Sequence, residues 1–109
     1  MIIELVHILA PPEKRQEIGS ALASCVGPIE VQAGCLGCRL FETSPKLGEY
    51  RLEVRWNTRE DLIRHLQSGI FKQVLLLMEL SEAAPALEFF EIVEVHGLDL
   101  VESSRLQLG

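Results

Sequence analysis

The most reactive side chains in this sequence are its three cysteines, Cys25 and the pair Cys35-x-x-Cys38. Thiolates are soft metal ligands and paired thiols exchange disulfides, so a zinc site or a redox pair is the first chemistry to weigh. Zinc normally takes four ligands at paired spacings, and a redox pair normally sits at a helix amino end. Here the pair opens a β-compatible segment, so buried, reduced thiols are expected and no metal site is assigned. The row Arg51, Glu53, Arg55 is expected to be a cross-strand charge ladder rather than an anion clamp. No Gly-x-Gly-x-x-Gly follows the first apolar run, and no Gly-rich loop leads into Lys and Ser or Thr. Nicotinamide and nucleotide phosphates therefore lack their usual cradle. Any oxidation would need a substrate that supplies its own electrons.

The elements that must carry such chemistry follow from periodicity. Ile2 to Ala10 is apolar and rich in branched residues, with Glu4 and His7 its only polar members, which predicts a strand covered on both faces. Pro12 suits a first helical position, and Ile18, Leu22, Cys25, Val26 and Ile29 recur at helical spacing. That helix is expected to end between Gly27 and Gly34, since Pro28 and Gly34 both weaken continuation. Cys35 to Thr43, the turn residues Ser44-Pro45-Lys46-Leu47-Gly48 and Glu49 to Trp56 read as a hairpin. In its second strand Tyr50, Leu52, Val54 and Trp56 share one face and Glu49, Arg51, Glu53 and Arg55 the other.

Thr58 and Asp61 predict a capped helix start with Leu62, Ile63 and Leu66 inward. Ser68-Gly69 breaks or re-aims that helix, and Ile70, Phe71, Val74, Leu75, Leu77 and Met78 form a segment so apolar that burial on most sides is expected. After Pro85, Leu87 to His96 predicts a last strand with apolar groups on both faces. The order strand, helix, strand, strand, helix, strand is the split β-α-β arrangement of an α+β, ferredoxin-like domain with an antiparallel sheet. Helices cover only one face of such a sheet. Apolar residues on the other face of the first and last strands call for a cover, and a second copy of the chain is the simplest, so a homodimer is expected. The domain is placed at residues 1–97. The tail at 98–109 keeps Leu98, Leu100, Val101, Leu106 and Leu108, and is expected to dock on the partner subunit.

Composition bounds the partners. At 109 residues the chain is one domain by size, and 48% apolar content supports a real core. Sixteen acidic against ten basic residues give a net charge of −6 with no cluster of Lys and Arg, which argues against nucleic acid and anionic membranes. The longest apolar run, Val74 to Met78, falls far short of the roughly 20 residues needed to span a bilayer. The amino terminus lacks a basic n-region, and an odd number of cysteines suits a reducing compartment, so a cytoplasmic protein is expected.

The stretch Leu52-Glu53-Val54-Arg55-Trp56-Asn57-Thr58-Arg59-Glu60-Asp61-Leu62-Ile63-Arg64-His65-Leu66-Gln67-Ser68-Gly69-Ile70-Phe71 resembles the antibiotic biosynthesis monooxygenase family of dimeric α+β barrels. The likeness lies in a strand ending in Trp, a helix carrying His-Leu-x-Ser and a Phe on the next turn, and the order of elements extends it from Met1 to about His96. The resemblance implies a pocket between helices and sheet, with His7, Trp56, His65 and Phe71 as its residues. It also implies either oxygenation of phenolic or quinol-type substrates without a cofactor, or haem degradation. Haem degraders carry an axial histidine where this chain has Leu75, and leucine cannot ligate iron, so no cofactor is assigned.

The chemistry that follows needs a small dihydroxyaromatic substrate and O2. A base removes the phenolic proton, the electron-rich anion reduces oxygen, and an apolar pocket excludes water. His65 or His7 would be the base, because imidazole titrates near neutral pH, with Trp56 and Phe71 as an aromatic wall. Plainer readings exist for each: His65 as a helix-surface histidine, His7 as a satisfied core histidine, and Trp56 as ordinary packing. The rival function is a non-catalytic dimeric module that binds a small apolar ligand.

Overall fold

The computed structural model describes residues 1–44 and 46–108; Pro45, expected in the hairpin turn, lies outside the described residues, as do Gly109 and the side chain of Leu108. Four strands, β1 (Ile2–Leu9), β2 (Cys35–Ser44), β3 (Glu49–Trp56) and β4 (Ala86–Glu91), form one sheet in the order β2-β3-β1-β4, every neighbouring pair antiparallel. Helices α1 (Arg15–Glu30), α2 (Arg59–Leu66) and α3 (Gly69–Met78) belong to the two crossovers, and α4 (Leu98–Leu108) follows the last strand. This is the expected α+β, ferredoxin-like arrangement.

Pleating sorts the side chains into two sets. On β1 the even residues Ile2, Glu4, Val6 and Ile8 are buried beneath the helices, while Ile3, Leu5, His7 and Leu9 are only half-buried. The strand is thus covered on one face in the single chain. Trp56, Val54, Leu52 and Tyr50 stand opposite Ile2, Glu4, Val6 and Ile8 in register and join them in the core. Ile18, Leu22, Cys25 and Ile29 on α1 and Phe71, Val74 and Met78 on α3 close it from above.

Several local expectations shift. Helix α1 ends at Glu30, within the expected range, but Pro28 lies inside it rather than stopping it. Ile63 faces solvent and His65 takes its inward place, because Leu62 and His65 are one turn apart on α2. The α3 segment buries one side only: Leu76 is 52% exposed and Leu75 nearly as much. Strand β4 stops at Glu91, since its partner β1 begins at Ile2 and the N–H of Ile92 donating to the Met1 carbonyl at 2.8 Å is the last bond available. Arg55 pairs with Glu53 along its own strand, at 3.2 Å, rather than across strands. The tail is a helix with Leu98, Leu100, Val101 and Leu106 exposed and no extended contact with the rest of the chain. No helix of the described residues is long and apolar enough to cross a membrane.

A tight corner aligns the two crossovers. Gly34 adopts φ +82° after α1, its carbonyl accepts from the N–H of Asn57 at 2.8 Å, and a Cβ there would overlap the Asp61 carboxyl. Asp61 donates its N–H to the Thr58 hydroxyl, capping α2. Gly34→Ala is expected to lower stability by about 2 kcal/mol, from the left-handed backbone and the clash together. Urea unfolding measures it, and an unchanged midpoint would show that the corner relaxes freely.

Candidate active site

Alternation along β1 aims Glu4 into the core, at the second inward position of the strand. There it meets two side-chain nitrogens set by other elements. Trp56, the last residue of β3, donates from Nε1 to Glu4 Oε1 at 3.1 Å. His65, held inward by α2, places Nε2 3.3 Å from the same oxygen, an ionic contact whose ring N–H direction is off line for a regular hydrogen bond. The other ring nitrogen, Nδ1, donates to Oε1 of Gln32, in the turn after α1, at 2.6 Å. Glu4 and His65 are both effectively sealed from solvent, and Glu4 Oε2 has no partner.

An aromatic cage surrounds the imidazole. The Trp56 ring lies 4.5 Å from it, tilted by 30°, and Phe71 meets it edge-on at 5.2 Å. Ser68 positions Phe71 by capping α3: its hydroxyl accepts from the Phe71 N–H and donates to the His65 carbonyl at 2.6 Å. An apolar groove of about 300 Å³ runs between α2 and β4, and none of Glu4, Trp56, His65 and Phe71 lines it. Ile2, Leu62, Leu66 and Phe89 line it, with Arg59 and Glu91 among the wall residues. Phe89 stands directly opposite Glu4 in register, and Ile2 is the next inward residue of the same strand. The groove is therefore bordered by the immediate neighbours of both members of the buried pair.

Of the four residues expected to form a site, the structure brings together Trp56, His65 and Phe71. His7 lies on the opposite face of the sheet, its side chain one-third exposed, with Nε2 2.7 Å from Glu49 Oε1. Glu4 and Gln32 belong to the cluster and were not read from the sequence. A signal existed for Glu4, an isolated acid on a strand face otherwise made of Ile2, Val6 and Ile8. None existed for Gln32, a turn residue brought to the imidazole by tertiary contact.

The cysteines are buried or half-buried and unpaired. Burial pushes the Cys38 thiol up to about 12, with Cys35 and the carboxylates of Glu30 and Glu4 adding to the effect. Burial also raises Cys25 and Cys35. Such thiols are poor nucleophiles. No group of three or more His, Cys, Asp or Glu among the described residues is placed to hold a metal ion. The depression of about 540 Å³ beside Leu75 carries Glu79 and Glu82 and offers neither a histidine for iron nor a cation for haem propionates.

A fold and a site of this kind define a small α+β protein with an acid–imidazole pair enclosed by aromatic rings. The model of the antibiotic biosynthesis monooxygenase family matches residues 1–75. The chain belongs to that family. Among solved structures, a Deinococcus radiodurans protein described under the same family name is 18% identical with a TM-score of 0.78, over 89% of this chain and 97% of that one. A Mycobacterium tuberculosis protein is 21% identical with a TM-score of 0.76, over 88% and 98%. One from Pseudomonas aeruginosa is 18% identical with a TM-score of 0.72, over 85% and 94%. At these identities the likeness is one of fold. Among curated proteins none matches the chain.

The His7 contact holds the Glu49 carboxyl below its ordinary value of 4.5, mainly through the hydrogen bond. A depressed carboxylate contributes stability that is present above its unfolded value and is lost as pH falls through the folded one. Glu49→Gln should therefore be less stable than the native protein at pH 7, and the two should converge below pH 4.5. Urea midpoints measured across that range test this, and a gap undiminished at pH 3 would mean that the carboxylate charge is not what His7 holds.

Proposed function

We propose that this protein is a cofactor-independent monooxygenase of the antibiotic biosynthesis monooxygenase type, acting on a small aromatic phenol or quinol with O2. The observation that carries the reading is the enclosed Glu4–His65 pair, caged by Trp56 and Phe71, with an apolar groove of a size suited to one aromatic ring system lined by their chain neighbours Ile2, Leu62 and Leu66. A hydroquinone supplies the electrons: hydroquinone plus O2 gives hydroxyquinone plus water, with one oxygen atom entering the ring. The pair removes a phenolic proton, which makes the ring electron-rich enough to reduce oxygen, and the apolar walls keep water from the anion. Trp56 and Phe71 hold the ring. His7, on the outer sheet face, is assigned no part in this step.

The working unit in this reading is a homodimer. Ile3, Leu5, Leu9 and Phe90 form an apolar stripe on the open sheet face beside the charged residues of β3, and a second copy would seal it. The tail beyond the 1–97 domain would then lie on the partner, covering the exposed leucines of α4. Two buried free thiols suit a reducing compartment, and we place the protein in the cytoplasm. A second reading, a dimeric module that binds a small apolar ligand without turnover, is favoured by one observation: both ring nitrogens of His65 already face protein atoms.

Oxygen uptake with a panel of hydroquinones and dihydroxynaphthalenes separates the two. Native protein should consume oxygen, His65→Ala should be slower by about 100-fold, and His7→Ala should match the native rate. No uptake by native protein with any member of the panel would leave the binding module. Deleting residues 97–109 should weaken the dimer, read as a raised dissociation constant in sedimentation equilibrium; an unchanged constant would place the tail outside the interface.

A further inference from the structure

Resting on the reading that the groove between α2 and β4 holds a small aromatic ring, we infer that its ligand is an aromatic hydroxy acid, with the carboxylate held by Arg59 and a ring hydroxyl by Glu91. Spacing along α2 sets one wall. Arg59, Leu62, Ile63 and Leu66 fall at i, i+3, i+4 and i+7, so the arginine continues the apolar stripe that borders the groove. Register sets the other wall. Glu91 stands opposite Ile2 and Phe89 opposite Glu4, which turns both toward the helix face of the sheet. Between the walls the chain leaves apolar surface uncovered: Ile63 is 45% exposed and Phe89 41%, although both line the groove. A flat ring placed between them takes apolar area out of water on both sides.

The charges in the groove decide what the ring carries. Among the described residues neither Arg59 nor Glu91 forms an ion pair, although both line the same groove, whereas the neighbouring Arg55 and Arg64 are each paired with an acid. Two opposite charges that share a groove without meeting leave room for the polar groups of a ligand. A guanidinium takes a carboxylate through two parallel N–H bonds, and a carboxylate accepts from a hydroxyl. Both charges lie at one end of the groove. Glu91 is across from Ile2 on one side of β1, and Trp56, across from Ile2 on the other, precedes Arg59 by three residues. The carboxylate and the hydroxyl are therefore neighbours on the ring, and its apolar edge points toward Leu66 and Phe89.

Charge also separates this ligand from other anions and this groove from other hollows. A phosphate ester would bring a second negative charge up to Glu91, while a monoanion balances Arg59 alone. The depression beside Leu75 carries Glu79 and Glu82, the one beside Tyr50 carries Glu42, and the one between α1 and α3 is lined by uncharged residues.

Titration calorimetry at pH 7 tests the assignment with 2,5-dihydroxybenzoate, which sets a carboxylate beside a hydroxyl, and with its methyl ester and benzoate for comparison. Native protein should bind the acid about 10-fold more tightly than the ester, the effect of one charge-assisted pair at an exposed site. Arg59→Gln should bring the acid down to the affinity of the ester, and Arg59→Lys should keep part of the gap, a point charge replacing the fork. Glu91→Ala should remove the preference for 2,5-dihydroxybenzoate over benzoate. Both side chains are exposed, so these variants leave the core intact. No binding of the acid, equal affinity of acid and ester in native protein, or a gap that persists in Arg59→Gln would overturn the proposal, and a preference over benzoate kept by Glu91→Ala would strike the hydroxyl contact from it. Arg59-dependent binding without oxygen uptake would sink the oxygenase reading while leaving the ligand class standing. Uptake from hydroquinone with no Arg59-dependent preference would do the reverse.

Discussion

A carboxylate in the middle of a hydrophobic sheet face is the constraint around which this fold is arranged. Glu4 is sealed from solvent, so its polar atoms depend on partners brought from elsewhere in the chain. Trp56 comes from the far end of β3 and His65 from α2, more than fifty residues away in sequence. Each partner is itself held: the Trp56 backbone by register against Ile2, and the imidazole by Gln32 on one edge and by two aromatic rings. Removing one member of a buried pair typically costs about 3–5 kcal/mol, because the other is left uncompensated. The hairpin, the Gly34 corner and the Thr58 cap therefore serve one end, which is to bring the Trp56 indole and the His65 imidazole to one carboxyl oxygen.

The two sheet faces carry different groups. The helix face carries the core and the acid–imidazole cluster. The other face combines the half-buried stripe of β1 with the charged row of β3, and there His7 and Glu49 form their own pair. The two histidines are thus separated by the thickness of the sheet, because positions 4 and 7 of one strand differ by an odd number of residues.

Helices α2 and α3 link packing to the site through a single residue. Ser68 accepts from the Phe71 N–H while its hydroxyl donates to the His65 carbonyl, so the break between the helices ties the backbone of the caged histidine to that of Phe71. The exposed Leu75 and Leu76 on α3 and the leucines of α4 are apolar surface that the single chain leaves uncovered.

Local patterning carried most of the architecture. Alternation in Glu49 to Trp56, the cap at Thr58 and the break at Ser68-Gly69 each depend on neighbouring residues, and the elements stand where those signals put them. Trp56, His65 and Phe71 could be grouped because they lie within sixteen positions on a strand–helix–helix run. What local pattern does not contain is which face of a strand the helices cover, since that depends on how distant segments pack. That choice, made only in the tertiary structure, put Glu4 inside and His7 outside and ended β4 where β1 begins. It also brought Gln32 to the imidazole, for a hydrogen bond between residues thirty-three apart exists only once the chain has folded.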